Sequence, residues 1–167
     1  MYSIIKDELK MWFLCFLKYT PGRIGVALRN ALIPYSNGSR VRIWDGVQLE
    51  GYKNMTLGDN TSINRHCVIH AGGGLDIGSN VLVGPGVTIY TQNHIYLDAK
   101  ALIDDQGYEL KRTVIEDDVW IASGCIILPG VTLKKGSVIG AGAVVTKDTD
   151  AFGIYVGSPA KKISSRA

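Results

Sequence analysis

With 167 residues, a formal net charge of +3, 20% charged and 46% hydrophobic side chains, the chain has the size of one domain and enough apolar material for one core. Its positive charges are scattered, enriched only in the first forty residues and the last seven, which argues against a nucleic-acid-binding surface. Three cysteines, Cys15, Cys67 and Cys125, read as reduced thiols of a cytoplasmic protein.

Residues 3–19 read as a helix stopped by Thr20-Pro21-Gly22, since proline cannot continue a helix and restricts the residue before it. Its run Met11 to Leu17 is far shorter than the roughly twenty apolar residues a membrane span needs. Flanked by Lys6, Lys10, Lys18 and Arg23, residues 1–20 suit a helix lying on an anionic membrane surface; capping of the fold or packing on a neighbouring subunit is the plainer use. A second short helix is expected from Ile24 to Leu32, where Ile24, Leu28 and Leu32 share a face, and Ser36-Asn37-Gly38-Ser39 reads as a turn. Residues 1–40 thus form an N-terminal helical segment.

From there the pattern changes. Leu57, Ile63 and Ile69, then Ile77, Val83 and Ile89, then Ile115, Ile121, Ile127, Leu133, Ile139 and Val145 recur at a step of six within each group. Four places after an aliphatic start stands a small or compact residue: Thr61, Cys67, Val81, Val87, Val119, Cys125, Val131, Ser137 and Ala143. A helical period of about 3.6 does not give this, and strand alternation does not impose it; a chain winding round a three-sided prism does. Each coil would take about eighteen residues and stack on the next at the roughly 4.8 Å spacing of paired strands. The fold class is therefore mainly β, a parallel β-helix over residues 41–155 of roughly five coils, about 24 Å tall. Cys67 and Cys125 fill inward slots and read as packing residues.

Two places break the rhythm. Ile69 to Ile77 is a step of eight at Ala71-Gly72-Gly73-Gly74, a bulged corner. Between Ile89 and Ile115 the repeat is absent, so residues 91–113 should leave the prism as an extruded loop, the usual seat of chemistry on a rigid scaffold. After Asp150 the repeat decays into a basic tail, residues 156–167, with Lys161, Lys162 and Arg166.

The stretches IGSNVLVGPGVTIYTQNH (77–94), VIEDDVWIASGCIILPGVTLKKGSVIGAGAVVTKD (114–148) and VGSPAKKI (156–163) resemble the hexapeptide-repeat acyltransferases, in particular the sugar O-acetyltransferases: galactoside and maltose acetyltransferases and their relatives in polysaccharide, capsule and O-antigen synthesis. The resemblance implies a left-handed coil, a homotrimer, acetyl-CoA as donor and a carbohydrate acceptor. It makes His94 the catalytic histidine, and an imidazole suits the removal of a hydroxyl proton as that oxygen attacks a thioester. Asp98, Asp104, Asp105, Glu109 or a backbone carbonyl would hold its tautomer.

By the same resemblance Asn64 contacts the acceptor, although a corner asparagine in the left-handed conformation is its structural alternative. His66 and His70 either line the acceptor pocket or are polar residues of the outer face. On the donor side, Ser123 would meet the thioester region, its backbone N–H stabilising the oxyanion. Ala141, Thr146 and Lys147 would follow the pantetheine and nucleotide, and Lys161 the phosphates, although Ser164 stands where the family can carry arginine. Trp120, in DDVWI, walls the donor groove or packs an interface. Gly136, Gly140 and Gly142 are coil corners, not a phosphate-cradling loop, because no helix follows them.

No metal is expected. A zinc hydratase of the γ-carbonic-anhydrase kind would use three histidines, and His66, His70 and His94 lack that family's spacing. A noncatalytic binding or assembly prism is the other alternative, but the loop histidine is retained. Within the enzyme class an amino sugar, serine or antibiotic acceptor competes with a sugar hydroxyl, because acceptor choice rests on pocket shape. The helical start points to an acceptor handled at the inner face of the cell membrane, such as a lipid-linked glycan precursor.

Overall fold

A computed structural model describes residues 2–167. Two helices, α1 (Tyr2–Tyr19) and α2 (Gly22–Leu32), precede a three-sided parallel β-solenoid. The first face stacks Ser36–Asn37, Met55–Leu57, Leu75–Ile77, Thr113–Ile115 and Thr132–Leu133. The second stacks Arg42–Ile43, Ser62–Ile63, Leu82–Val83, Trp120–Ile121, Val138–Ile139 and Gly153–Val156. The third stacks Gln48–Glu50, Val68–His70, Thr88–Tyr90, Ile126–Ile127 and Val144–Val145. Parallel pairing begins at Ser36 and Asn37, opposite Thr56 and Leu57, so the segment read as a turn already belongs to the first face.

The inward positions are those of the six-residue step. Ile63, Ile69, Ile89, Ile121, Ile127, Leu133 and Ile139 are fully buried, as are Thr61, Cys67, Val81, Cys125, Ser137 and Ala143 in the small slots. Coil length is not uniform. Thr56 and Asp76, neighbours on successive coils, are 20 residues apart, whereas Glu116 and Lys134 lower down are 18 apart. The added residues sit at the corner from third to first face, at a short 3-10 turn, Tyr52–Asn54, and again at the Gly72-Gly73-Gly74 corner. The large insertion, residues 91–112, leaves the prism at this same corner.

Each corner from first to second face uses one left-handed residue, Asn60, Asn80 and Asp118 with φ of 57°, 60° and 59° among them. The Asn60 amide donates to Asn80 Oδ1 at 3.0 Å, so the corner column is tied by side chains as well as backbone. The coils approach closely here: a Cβ on Gly58 would lie 2.5 Å from the Gly78 carbonyl carbon, which leaves room only for glycine.

Both ends of the prism are covered, as an exposed strand edge requires. At the top, Leu17 is fully buried and belongs to the same core as Ile33, Tyr35 and Val47, and Gly46 N–H donates to the Lys18 carbonyl at 2.7 Å. Arg29, 1% exposed, donates to the carbonyls of Ile43 at 2.9 Å, Leu17 at 2.5 Å and Thr20 at 2.8 Å, joining both helices to the first coil. At the bottom, Lys161–Ser165 folds back antiparallel on Gly153–Val156. Lys162 to Asp150 and Arg166 to Asp118, each at 2.9 Å, fasten this tail. Among the described residues no helix is long and apolar enough to cross a membrane.

Candidate active site

Where the third face ends, three outward side chains stand one above another. Glu50 is in register with His70, and His70 with Tyr90. His70 Nδ1 lies 2.8 Å from Glu50 Oε2, and the His70 ring stacks on Tyr90 with centroids 5.1 Å apart and planes 17° from parallel.

The inserted segment starts immediately after Tyr90. Thr91 is buried; its hydroxyl donates to the His70 carbonyl at 2.8 Å and accepts from Gly73 N–H at 2.8 Å, and its carbonyl accepts from Lys111 N–H at 2.8 Å. Both ends of the insertion are therefore pinned to the coil. Gln92–His94 then pairs antiparallel with Tyr108–Leu110, His94 opposite Tyr108, whose rings are 4.2 Å apart and tilted by 40°. The expected loop is thus a hairpin, with a short 3-10 turn, Ile103–Gln106, beyond its paired strands.

Hairpin and column enclose an open cleft of about 550 Å³ lined by Glu50, His70, Tyr90, Gln92, Asn93, His94, Tyr108, Leu128 and Pro129. Its size and its mix of aromatic faces with a few polar groups suit a small polar ligand. His94 Nδ1 is buried, with no hydrogen-bond partner among the described residues. None of the acidic residues expected to orient it does so. The Asp98 carboxylate accepts from Lys100 N–H at 2.9 Å, Glu109 pairs with Lys111 at 2.9 Å, and Asp104 and Asp105 are exposed on the 3-10 turn.

The remaining candidates divide between two corners. Asn64, Trp120 and Ser123 line a second, shallower cleft of about 290 Å³ at the corner from second to third face, with Leu82 and Pro85. Trp120 and Leu82, paired in register, are about half exposed and form its apolar wall. Asn64 Oδ1 accepts from Arg65 N–H at 2.8 Å, bracing its own corner. Ser123 is exposed; its carbonyl accepts from Gly142 N–H at 2.9 Å, which sets Ala141 one coil below it.

His66 lies apart from His70 and His94. It occupies a left-handed corner, φ 59°, against Gly46, where a Cβ would come within 2.6 Å of its Nδ1. Thr146 and Lys147 follow Val144–Val145 at the other corner, on the His94 side, and are exposed. Lys161 is exposed in the terminal strand, opposite Val156. Among the described residues no cluster of three or more histidine, cysteine or acidic side chains could hold a metal ion. Burial pushes the Cys67 thiol up to about 11 and raises that of Cys125, in keeping with packing roles. Within one chain, then, His70 and His94 share a cleft; Asn64, Trp120 and Ser123 share another. Glu50, Tyr90 and Tyr108 were missed from sequence, although Glu50 and Tyr90 stand one coil before and after His70.

Residues 112–147 match the family described as bacterial transferase hexapeptide (six repeats). The chain is 32% identical over 158 residues to a dTDP-4-amino-4,6-dideoxy-D-glucose acyltransferase of Escherichia coli, covering 79% of this chain and 82% of that one. It is 36% identical over 126 residues to the galactoside O-acetyltransferase of Lactococcus lactis, covering 75% and 54%. Among solved structures it superposes on a hexapeptide-repeat acetyltransferase of Vibrio cholerae complexed with acetyl coenzyme A, with TM-score 0.81, 31% identity and coverage of 89% and 80%. The chain spans about half the length of several curated relatives it matches, 52% to 55%.

Proposed function

The chain belongs to the hexapeptide-repeat transferases, and from that premise we propose that it is an acetyl-CoA-dependent O-acetyltransferase acting on a carbohydrate hydroxyl. The observation that carries this reading is His94, set on the hairpin over a cleft whose walls are two tyrosines, a second imidazole, a carboxylate and two side-chain amides. Aromatic faces with amides and acids are what a sugar ring requires, since its C–H faces stack and its hydroxyls both donate and accept.

In this mechanism His94 takes the hydroxyl proton as the sugar oxygen attacks the thioester carbonyl. The negative charge on the tetrahedral centre is met by the Ser123 backbone N–H, a preorganised donor. As that centre collapses, the carbon–sulfur bond breaks and the leaving thiolate takes the proton held by His94. The acetyl group passes directly, without a covalent enzyme intermediate. Trp120, Ala141, Thr146, Lys147 and Lys161 line the path of the donor, and Asn64, His66 and His70 are the acceptor-side group.

His70 and His94 stand at one corner of the prism and Asn64, Trp120 and Ser123 at another, so the proposal includes a homotrimer in which the hairpin of one copy meets the Trp120 groove of the next. It also places the enzyme in the cytoplasm, at the inner face of the membrane, in polysaccharide, capsule or O-antigen synthesis. The dTDP-amino-sugar acyltransferase relative favours a second reading, transfer to an amino-sugar nitrogen. Both are tested by following CoA release over a panel of methyl glycosides, disaccharides, nucleotide sugars and nucleotide amino sugars. Hydroxyl acceptors should be turned over, and His94→Ala should lower kcat by about 10²–10⁴ with an unchanged melting temperature. Turnover of amino sugars alone supports the second reading, and near-normal turnover by His94→Ala rejects His94 as the base.

A further inference from the structure

The cleft holds two imidazoles in different states of constraint. His94 Nδ1 has no partner among the described residues, whereas His70 Nδ1 stands 2.8 Å from Glu50 Oε2. That carboxylate is itself held, because its other oxygen accepts from the Gln48 side-chain amide at 2.7 Å. An ionised carboxylate only accepts hydrogen bonds, so His70 Nδ1 carries a proton, and in the neutral ring Nε2 is left as an acceptor. Stacking on Tyr90, with the ring planes 17° from parallel, opposes rotation of the ring out of this position. Glu50, His70 and Tyr90 therefore form a built unit, each fixed by strand register to its neighbour.

Resting on the acetyl-transfer reading above, we infer that His70 is a positioning residue for the acceptor: its Nε2, set as a hydrogen-bond acceptor by Glu50, receives a hydroxyl of the sugar other than the one acetylated, while Tyr90 supports the ring from behind. The site is thereby selective for polyols over simple alcohols. One hydroxyl is given up to His94, and a second is recognised by His70. A group engaged equally in ground and transition states affects acceptor KM more than kcat, which separates this role from that of a base.

The test is steady-state kinetics on the best acceptor of the panel and its monodeoxy analogues, using wild type, His70→Phe, His70→Gln and Glu50→Gln. His70→Phe keeps a ring to stack on Tyr90 but has no acceptor atom; it should raise acceptor KM about tenfold, with kcat within about threefold and the KM for acetyl-CoA unchanged. His70→Gln, which can offer an amide oxygen, should recover part of the loss. Glu50→Gln, which leaves the ring in place but loosens its tautomer, should raise KM about threefold and serves if His70→Phe does not fold. One monodeoxy analogue should bind the wild type as weakly as the parent sugar binds His70→Phe, and suffer no further loss in that variant. An unchanged acceptor KM in both His70→Phe and Glu50→Gln, or a kcat loss of about a hundredfold at constant KM, overturns the inference while leaving acetyl transfer intact. A wild type that acetylates no hydroxyl or amine of the panel overturns the transfer reading itself.

Discussion

Arg29 shows how much one side chain holds together. It is buried, yet its partners are three carbonyls, one each from the end of α1, the turn after it and the first coil. Desolvation pushes its pKa down, opposed by the charge of Asp45, and a group starting as high as arginine remains a cation at neutral pH. Removing it leaves those carbonyls without donors in a buried place. Arg29→Ala should cost about 2–3 kcal/mol and lower Tm by about 5–10 °C in a thermal melt, and a Tm within a degree of the parent would show that water replaces the guanidinium. Nothing in the sequence marked this residue, because a lone arginine on a short amphipathic helix looks like any surface cation. His94 was legible, since Thr91-Gln92-Asn93 places it where the repeat stops. Its lack of an orienting carboxylate was not legible, because that depends on which edge of the hairpin each acid faces. The corner residues were legible in part: Asn60 and Asn80 suit the left-handed conformation, whereas Arg40, His66 and Phe152 adopt it by being held between coils that already turn there.

Among elements, the six-residue step gave the faces of the prism and its inward residues, and the structure differs from it only in coil length. The step of eight at the glycine run is visible in the sequence; the equal step from Leu49 to Leu57 lies ahead of the first regular group, so the expected coil of about eighteen residues is two short for the first coil. That corner borders the site, because strand register stacks Glu50, His70 and Tyr90 as a column just before it, beside the hairpin. Helix α1 presents an exposed apolar face. Ile5, Leu9, Trp12, Phe16 and Tyr19 all lie exposed, Trp12 at 75%, while Leu14 and Leu17 face the fold. The alternating steps of four and three put these five side chains on one stripe of the helix. With Lys6, Lys10 and Lys18 on the flanks and far side of the helix and Arg23 at the start of α2, the proposed occupant is an anionic bilayer surface, an attraction that Asp7 and Glu8 reduce. The protein should sediment with phosphatidylglycerol vesicles at low salt, and the double variant Trp12→Glu, Phe16→Glu should stay in the supernatant with its mass in solution unchanged. Wild type left in the supernatant would reject the bilayer as its occupant.

For the whole molecule, the solenoid is a way of holding distant segments at fixed heights on fixed edges. Its inward residues are interchangeable in kind, so fold was legible from a one-letter rhythm, whereas the proposed function depends on which corners an assembly would bring together, and the repeat does not encode that. His94 stands on one edge; Trp120, Ser123 and Ala141 on another. In a closed ring of three identical copies, one edge of each prism meets a different edge of the next, so each proposed site would draw its base from one protomer and its donor groove from the neighbour. This has a quantitative consequence. His94→Ala removes the base and Ala141→Trp obstructs the groove, so each homotrimer should be inactive. If the two are unfolded together, refolded at equal ratio and assorted at random, a site works when an intact His94 meets an intact groove, and about a quarter of wild-type activity should return. Light scattering on the same sample should give three times the 18.1 kDa chain mass. A trimer with no recovered activity would place base and groove in the same protomer, and a monomer active at wild-type rate would remove the shared site altogether.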